Sequence, residues 1–201
     1  DRNQLRVLAE HGASSSLMLQ LPDLYDRIDD VRAGAARICV MQTQVFTLSN
    51  GSRTDCFDRR NGALLTSVEQ NAGFASLPHG RILGVDGDLL VQFDGAVYAY
   101  DAAGTLRFTL PATAFAAVDS RFGIVTLTGA GIVLYNLDGQ RRSHIRMSPE
   151  TSLQRARWSD DGSLLFSGSG YINNESYFFR LSAYGGLVGI HQFANGQHIS
   201  D

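Results

Sequence analysis

Short runs of alternating apolar and polar residues, separated by tight turns, fill most of this chain. The clearest copy runs from Arg81 to Pro111. Its turn dipeptides, Asp86-Gly87 and Asp94-Gly95, are strong hairpin signals because Asp and Gly tolerate positive φ. No 3.6-residue apolar period is sustained, so helices are not expected. The segment predicts four short antiparallel strands: Arg81–Val85, Leu89–Phe93, Ala96–Tyr100 and Thr105–Leu110.

This four-strand cassette returns about every forty residues. An aromatic or apolar residue followed by a polar residue that starts a turn closes the third strand of each copy. Four-stranded units repeated at this period are typical of β-propellers. We therefore expect an all-β β-propeller with four complete blades and a partial fifth. The landmarks are Leu21 before Asp23, Phe57-Asp58, Tyr100-Asp101, Tyr135-Asn136 and Leu181-Ser182.

The repeat divides the chain, interpreted as one propeller domain, into five blades. Their approximate bounds are 1–34, 35–70, 74–111, 114–148 and 153–196, with 197–201 as a candidate closing strand. If that strand completes the first blade, the ring has five blades; the alternative is part of a seven- or eight-bladed ring. Besides the cassette above, the predicted strands are Leu5–Ala9, Ser16–Leu21 and Tyr25–Val31; Arg37–Met41, Val45–Ser49, Thr54–Asp58 and Ala63–Val68; Phe115–Asp119, Gly123–Thr128, Ile132–Asn136 and Ser143–Met147; and Arg155–Ser159, Ser163–Gly168, Ser176–Leu181 and Leu187–Phe193.

Two segments resemble turns of known propeller families. Residues 158–166, Trp-Ser-Asp-Asp-Gly-Ser-Leu-Leu-Phe, look like the first-strand turn of WD-repeat and TolB-like propellers. Residues 97–104, Val-Tyr-Ala-Tyr-Asp-Ala-Ala-Gly, resemble the corresponding turn of quinoprotein-type propellers. The Gly-His and Trp-Asp pairs of WD repeats are absent, and Trp158 is the only tryptophan, whereas quinoprotein blades carry one each. The resemblance implies the β-propeller superfamily without selecting one family.

Charge and hydropathy narrow the classes of function. The formal net charge of −3 gives no general attraction to phosphate backbones, so we expect no nucleic-acid partner. No run of eighteen apolar residues occurs, and we expect no membrane insertion. The chain begins with Asp1 rather than Met, which predicts a processed product or a part of a longer protein.

The two cysteines, Cys39 and Cys56, are expected to be free thiols. The predicted strands place a whole strand between them, and the resulting separation exceeds the usual disulfide range. Free thiols slightly favour the cytoplasm over a bacterial periplasm, and the compartment is otherwise unassigned.

Three arginines, Arg37, Arg81 and Arg155, begin predicted innermost strands, which line the central channel of a propeller. Guanidinium groups gathered at one channel mouth would bind a phosphate, a carboxylate or an acidic peptide, because Arg offers paired donors. Pairing with turn aspartates explains these arginines equally well. Arg121, forty residues after Arg81, falls between predicted strands.

The longest segment between predicted strands, residues 168–175, is flanked by aromatic residues. Elongated surface loops often carry interaction surfaces, so Tyr171, Asn173, Asn174 and Glu175 form a candidate interaction loop. Ordinary packing of aromatic side chains between sheets is the alternative explanation. Trp158 is expected to be at least partly buried.

No motif for a cofactor and no metal-ligand spacing among the five histidines is present, so we expect no cofactor, no metal and no catalytic residue. Nearly every Asp adjoins a turn; only Asp119 ends a predicted inner strand without an adjoining Gly. The sequence favours a non-enzymatic scaffold that binds other protein subunits within a larger assembly. The alternatives are a small propeller enzyme, of glycoside hydrolase or lyase type, with its site at the channel mouth, and a small-ligand or carbohydrate binder.

Overall fold

The computed structural model of the chain describes residues 4–8, 16–21, 27–45, 50–72, 80–114, 116–147, 151–170, 176–182 and 186–193. In these ranges the regular secondary structure consists of eighteen β-strands, without a helix. The all-β prediction is confirmed. These residues accordingly include no helix of the length and hydropathy needed to cross a membrane.

Sixteen strands form four four-stranded sheets, each made of consecutive strands in spatial order. Strands β1 (Gln4–Leu8) and β2 (Ser16–Gln20) form a separate antiparallel pair. Sheet I contains β3 (Arg27–Ala33), β4 (Arg37–Val45), β5 (Asn50–Asp58) and β6 (Leu64–Ala72). Sheet II contains β7 (Arg81–Gly84), β8 (Leu89–Phe93), β9 (Ala96–Tyr100) and β10 (Leu106–Pro111). Sheet III contains β11 (Ala117–Asp119), β12 (Gly123–Thr128), β13 (Gly131–Tyr135) and β14 (Arg141–Arg146), and sheet IV contains β15 (Thr151–Trp158), β16 (Leu164–Gly170), β17 (Ser176–Leu181) and β18 (Leu187–Phe193).

The predicted landmarks mark the same turn in all four sheets. At the end of each third strand, a polar residue donates its backbone N–H to a carbonyl four or five residues later. In sheet II, for example, the carboxylate of Asp101 also accepts hydrogen bonds from the N–H groups of Ala103 and Thr105. Such local bonding explains why short polar residues occupy this position. The four donor and acceptor pairs are Asp58 to Ala63, Asp101 to Thr105, Asn136 to Gln140 and Ser182 to Gly186.

Sheet I differs from the predicted strand grouping. The strand predicted at Tyr25–Val31 to end the first blade instead belongs to β3, the first strand of this sheet. The reason is the tight turn closed by the hydrogen bond from Gly34 N–H to Arg37 C=O, which joins β3 and β4 as a hairpin. Of the predicted strand Val45–Ser49, the described Val45 ends β4 and pairs with Asn50 of β5. Residues 46–49 and the candidate closing strand 197–201 lie outside the described residues.

Cys39 and Cys56 form a disulfide, with an S–S distance of 2.04 Å. The prediction of two free thiols is therefore wrong. Because β4 and β5 are adjacent in the sheet, the two cysteines are direct cross-strand partners, with no strand between them. The disulfide also removes the free-thiol argument for a reducing compartment.

The chain forms two compact units. The first comprises Asp1–Asp94 and Tyr98–Arg107, and the second Gly95–Val97 and Phe108–Asp201. In the first unit, one apolar cluster joins sheet I to residues of sheet II, and another joins sheet I to the β1–β2 pair. In the second unit, a cluster joins sheets III and IV; Leu134 and Phe166 are buried in it, and the partly buried Trp158 packs against it. The expected burial of Trp158 is confirmed.

The first strands of consecutive sheets are neighbours within each unit. In the first unit, β3 lies beside β7, and in the second unit β11 lies beside β15. The turns that follow these strands are therefore brought together as well. In the second unit, the turns that follow β11 and β15 form the candidate functional site.

Candidate functional site at two turns of the second unit

Arg37 has a structural role in the first unit. It is 8% exposed, and its Nε donates to the carbonyl of Val85, while its Nη2 donates to the carbonyl of Gly87, each at 2.5 Å. Burial lowers the pKa of the guanidinium, an effect opposed by Asp86 and Asp88. An Arg remains charged at neutral pH all the same. The side chain thus fixes the turn between β7 and β8, and those two donors are not available to a ligand.

The other predicted arginines do not occupy equivalent positions. Arg81 begins β7 and is exposed, whereas Arg155 lies inside β15 and is exposed in the second unit. Arg37 begins the second strand of its sheet, so the prediction that it starts a first strand is wrong. Convergence of the three side chains on one anion site stays a prediction. The candidate interaction loop of Tyr171, Asn173, Asn174 and Glu175 lies outside the described residues.

In the second unit, the turn between β11 and β12 holds an exposed arginine in a fixed position. Arg121 donates from Nε (3.2 Å) and Nη2 (3.1 Å) to the two carboxylate oxygens of Asp119. Asp119 also accepts a hydrogen bond from the backbone N–H of Arg121 at 2.8 Å. This paired contact raises the pKa of Arg121, and the side-chain hydrogen bond from Arg121 is the main cause of the lowered pKa of Asp119. Both groups are charged at neutral pH.

Aromatic rings support the same arginine. The guanidinium carbon of Arg121 lies 4.7 Å from the ring centre of Phe122, within the range of a cation–π contact. Phe122 in turn packs against Trp158 at the end of β15, with ring centres 5.6 Å apart. A carboxylate oxygen of Asp160 lies 3.7 Å from Arg121 Nη2. We call Asp119, Arg121, Phe122 and Trp158 the turn cluster.

The turn cluster combines features of a protein-binding hot spot. The side chain of Arg121 is 55% exposed, but its rotamer is already fixed by Asp119 and Phe122, so little conformational entropy remains to be lost on binding. Trp and Arg are enriched among residues that dominate protein interfaces. The Trp158 indole N–H is buried without a hydrogen-bond partner among the described residues. Since two carboxylates already lie beside the guanidinium, its donors that do not bind Asp119 suit a partner's neutral carbonyl group better than a carboxylate.

Two carboxylates of the described residues, Asp119 and Asp55, are held by neighbouring polar side chains. Asp119 ends β11, the first strand of sheet III, but its lowered pKa is the reverse of what a general acid at neutral pH needs. Asp55 is fully buried, where it accepts hydrogen bonds from Arg53 Nε at 2.8 Å and from Gln42 Nε2 at 3.3 Å. Among the described residues, no three His, Cys, Asp or Glu side chains are grouped as metal ligands.

Sequence reasoning missed the turn cluster because its members come from two turns that are far apart in the chain. One local signal was present. Asp119 lies at a strand end and Arg121 follows it by two residues, a spacing at which a turn carboxylate can bind the arginine. The contact of Phe122 with Trp158 has no such signal. It depends on β11 lying beside β15.

Comparisons with known proteins found similarity to a solved structure. No protein-family model matches the chain, and no curated protein matches it. A crystal structure of a protein of unknown function from Bacteroides caccae is similar, with 10% sequence identity, a TM-score of 0.39, and coverage of 95% of this chain and 94% of that chain.

Proposed function

We propose that this chain is a β-propeller domain that serves as a non-enzymatic scaffold and binds other protein subunits. Two features support the propeller. Each sheet consists of four consecutive strands in spatial order, as a propeller blade does. The first strands of consecutive sheets are neighbours in both units, which matches the placement of inner strands around a propeller axis.

The observation that carries the scaffold role is the turn cluster. An exposed arginine fixed by a carboxylate and an aromatic ring provides a rigid binding group at little entropic cost. Turns at the end of a rigid sheet scaffold are where binding residues are commonly placed. A partner that presents a carbonyl to the donors of Arg121 that do not bind Asp119, and an apolar group to the aromatic rings, matches this surface.

The proposal is tested by quantitative affinity capture in cells that produce the protein, comparing the wild-type chain with Arg121→Glu. The matched control is Arg60→Glu, an exposed turn arginine whose backbone N–H, rather than its guanidinium, is bonded by Asp58. Far-ultraviolet circular dichroism and the denaturation midpoint establish that both variants are folded. We expect Arg121→Glu to reduce the recovery of a defined set of proteins by about tenfold or more.

The control should retain that set. If the wild-type chain is recovered without partners, or if Arg121→Glu and Arg60→Glu recover the same proteins in the same amounts, the proposed scaffold role of the turn cluster is wrong. Cross-links from the captured proteins to residues beside the turn cluster would support it directly.

A further inference from the structure

The last strand of sheet III, β14, carries an unusual concentration of positive charge. Its sequence is Arg-Arg-Ser-His-Ile-Arg, without an acidic residue, in a chain whose formal net charge is −3. Arg141, Arg142, His144 and Arg146 are all exposed. The negative net charge of the chain does not explain three arginines on one solvent-facing strand. The charge is therefore a local feature that requires its own explanation.

The last strands of the other sheets lack this charge. In β6 the one charged residue is Glu69, and in β10 it is Arg107, which pairs with Asp88. Strand β18 has no Asp, Glu, Lys or Arg. Charged side chains often protect open sheet edges from aggregation. Since the other last strands are also edge strands among the described residues, edge protection alone does not explain why β14 has three arginines.

The register of sheet III separates the apolar and basic side chains of β14. Ile145 pairs with Ile132 and packs against the apolar cluster between sheets III and IV. His144 pairs with Val133 and Arg146 with Gly131, on the opposite face. Arg142 lies at a register shift, and its Nη1 donates to the carbonyl of Phe122 at 2.9 Å. One arginine is thus anchored to the domain, while Arg141 and Arg146 are exposed.

Arg141 and Arg146 have no carboxylate partner within the part of the chain that the structure describes. Among the described residues, β14 pairs with β13 and with no other strand. Alternate residues of an antiparallel edge strand direct their N–H and C=O groups away from the sheet. Within the described residues, the open side of β14 therefore offers backbone donors and acceptors next to guanidinium groups that have no carboxylate partner there.

These features indicate which kind of partner could bind the open edge of β14. Pairing with a second copy of β14 would place arginine against arginine, which is unfavourable. An extended segment with acidic residues at alternate positions would satisfy the backbone groups and the arginines together. A nucleic acid lacks the regularly spaced backbone donors and acceptors of a β-strand, and this edge has no Phe, Tyr or Trp for base stacking.

We propose that β14 binds an extended acidic segment of a partner protein as an added strand of sheet III. The inference rests on the proposed function as a protein-binding scaffold and assigns it a second surface and a class of partner. Arg141 and Arg146 pair with acidic side chains of the added strand. Arg142 holds β14 to the turn that contains Phe122.

The test uses a short fluorescent peptide of alternating Thr and Glu, with binding followed by fluorescence anisotropy on the full chain. Arg146→Glu and Arg141→Glu should each weaken binding about tenfold or more, whereas Arg60→Glu should leave it unchanged. The same peptide, N-methylated at alternate residues, keeps its charge but loses the donors of one edge, and it should bind about tenfold more weakly. Amide chemical shifts of β14 should change on titration with the parent peptide.

Three results would overturn the inference: no binding of the Glu peptide, equal binding of the N-methylated peptide, or tighter binding of oligothymidylate than of the peptide. The last would identify a surface for nucleic acid. Failure here is distinguishable from failure of the scaffold role, because the partners captured through Arg121 are measured separately. Loss of those partners in Arg121→Glu, without peptide binding at β14, leaves the scaffold and removes this inference.

Discussion

The carboxylate of Asp30 in β3 accepts a hydrogen bond of 2.8 Å from the backbone N–H of Ile82 in β7. On the same strand, Arg32 Nη1 donates to the carbonyl of Ile82 at 3.0 Å. Strand β7 is an edge strand of sheet II. Side chains of β3 thus satisfy both backbone groups of one edge residue, and they join the first strands of sheets I and II.

Replacing Asp30 by Ala should therefore destabilise the protein. The substitution leaves the N–H of the buried Ile82 without its acceptor, which costs about 1–3 kcal/mol. Asp30→Asn keeps an acceptor oxygen and should cost less. Urea denaturation of the wild type and both variants measures the free energies of unfolding. Equal midpoints for the wild type and Asp30→Ala would show that this hydrogen bond contributes nothing to stability.

The sequence was sufficient to predict the strands bounded by short polar turns. Asp94, Asp101 and Asn136 form their turns through local hydrogen bonds or positive φ, so their residue types carry the information. The strands Leu89–Phe93 and Ala96–Tyr100 were accordingly predicted at their observed bounds. Gly34 was interpreted as the boundary between two blades. Tight turns within one sheet and connections between sheets contain the same residue types, so the sequence does not distinguish them.

The contacts that bury Arg37 are not local. Arg37 is buried because it binds two carbonyls near residue 86, whereas Arg121 is fixed by a carboxylate two residues away and remains exposed. Arg37 was the stronger candidate because it began a predicted innermost strand, whereas Arg121 fell between predicted strands. Its burial depends on how two turns meet, and the amino-acid pattern of one strand does not encode that contact.

The disulfide between Cys39 and Cys56 should stabilise the first unit. It closes a loop with a sequence separation of 17, for which the loss of unfolded-state entropy is worth about 3 kcal/mol. We expect the double variant Cys39→Ala, Cys56→Ala to unfold at a lower denaturant concentration than the oxidised wild type. Dithiothreitol should lower the wild-type midpoint and leave the double variant unchanged. A titration that finds two free thiols in the folded, oxidised protein would contradict the bond.

Gly131 and Gly129, in the hairpin between β12 and β13, should respond very differently to Ala. Gly131 has a φ of +132°, and an added Cβ would lie 2.1 Å from the carbonyl oxygen of Ile145. An added Cβ at Gly129 would have nothing within 4 Å. We expect Gly131→Ala to cost more than about 2 kcal/mol through strain and backbone displacement. Gly129→Ala should stay within about 0.5 kcal/mol of the wild type.

Thermal denaturation of both glycine variants checks this difference. The pair is informative because the two substitutions add the same methyl group two residues apart. Similar midpoints for the two variants would mean that β13 and β14 are not in the described register. The result therefore also tests the edge on which the proposed binding of an acidic segment depends.

Asp161, in the turn between β15 and β16, should retain its charge far into acid. Ser163 is the main cause, since its hydroxyl donates at 2.6 Å and its backbone N–H at 2.9 Å to Oδ1 of Asp161. Together with the charge of Arg180, these bonds lower the carboxyl pKa from 3.8 to about 2. A lowered pKa in the folded state means that the contribution of Asp161 to stability is full above the unfolded value. It is lost as the pH falls through the folded value, between about pH 4 and pH 2.

Asp161→Asn should therefore lower stability at neutral pH and bring the variant closer to the wild type as the pH falls below 4. Ser163→Ala should raise the pKa of Asp161 toward its ordinary value, because it removes the hydroxyl donor while the backbone N–H remains. Carbon-detected NMR titration of the Asp161 carboxyl measures both effects without relying on unfolding. A wild-type carboxyl that titrates at its ordinary pKa, with no change in Ser163→Ala, would show that Ser163 does not bind Asp161 and that this turn is formed differently.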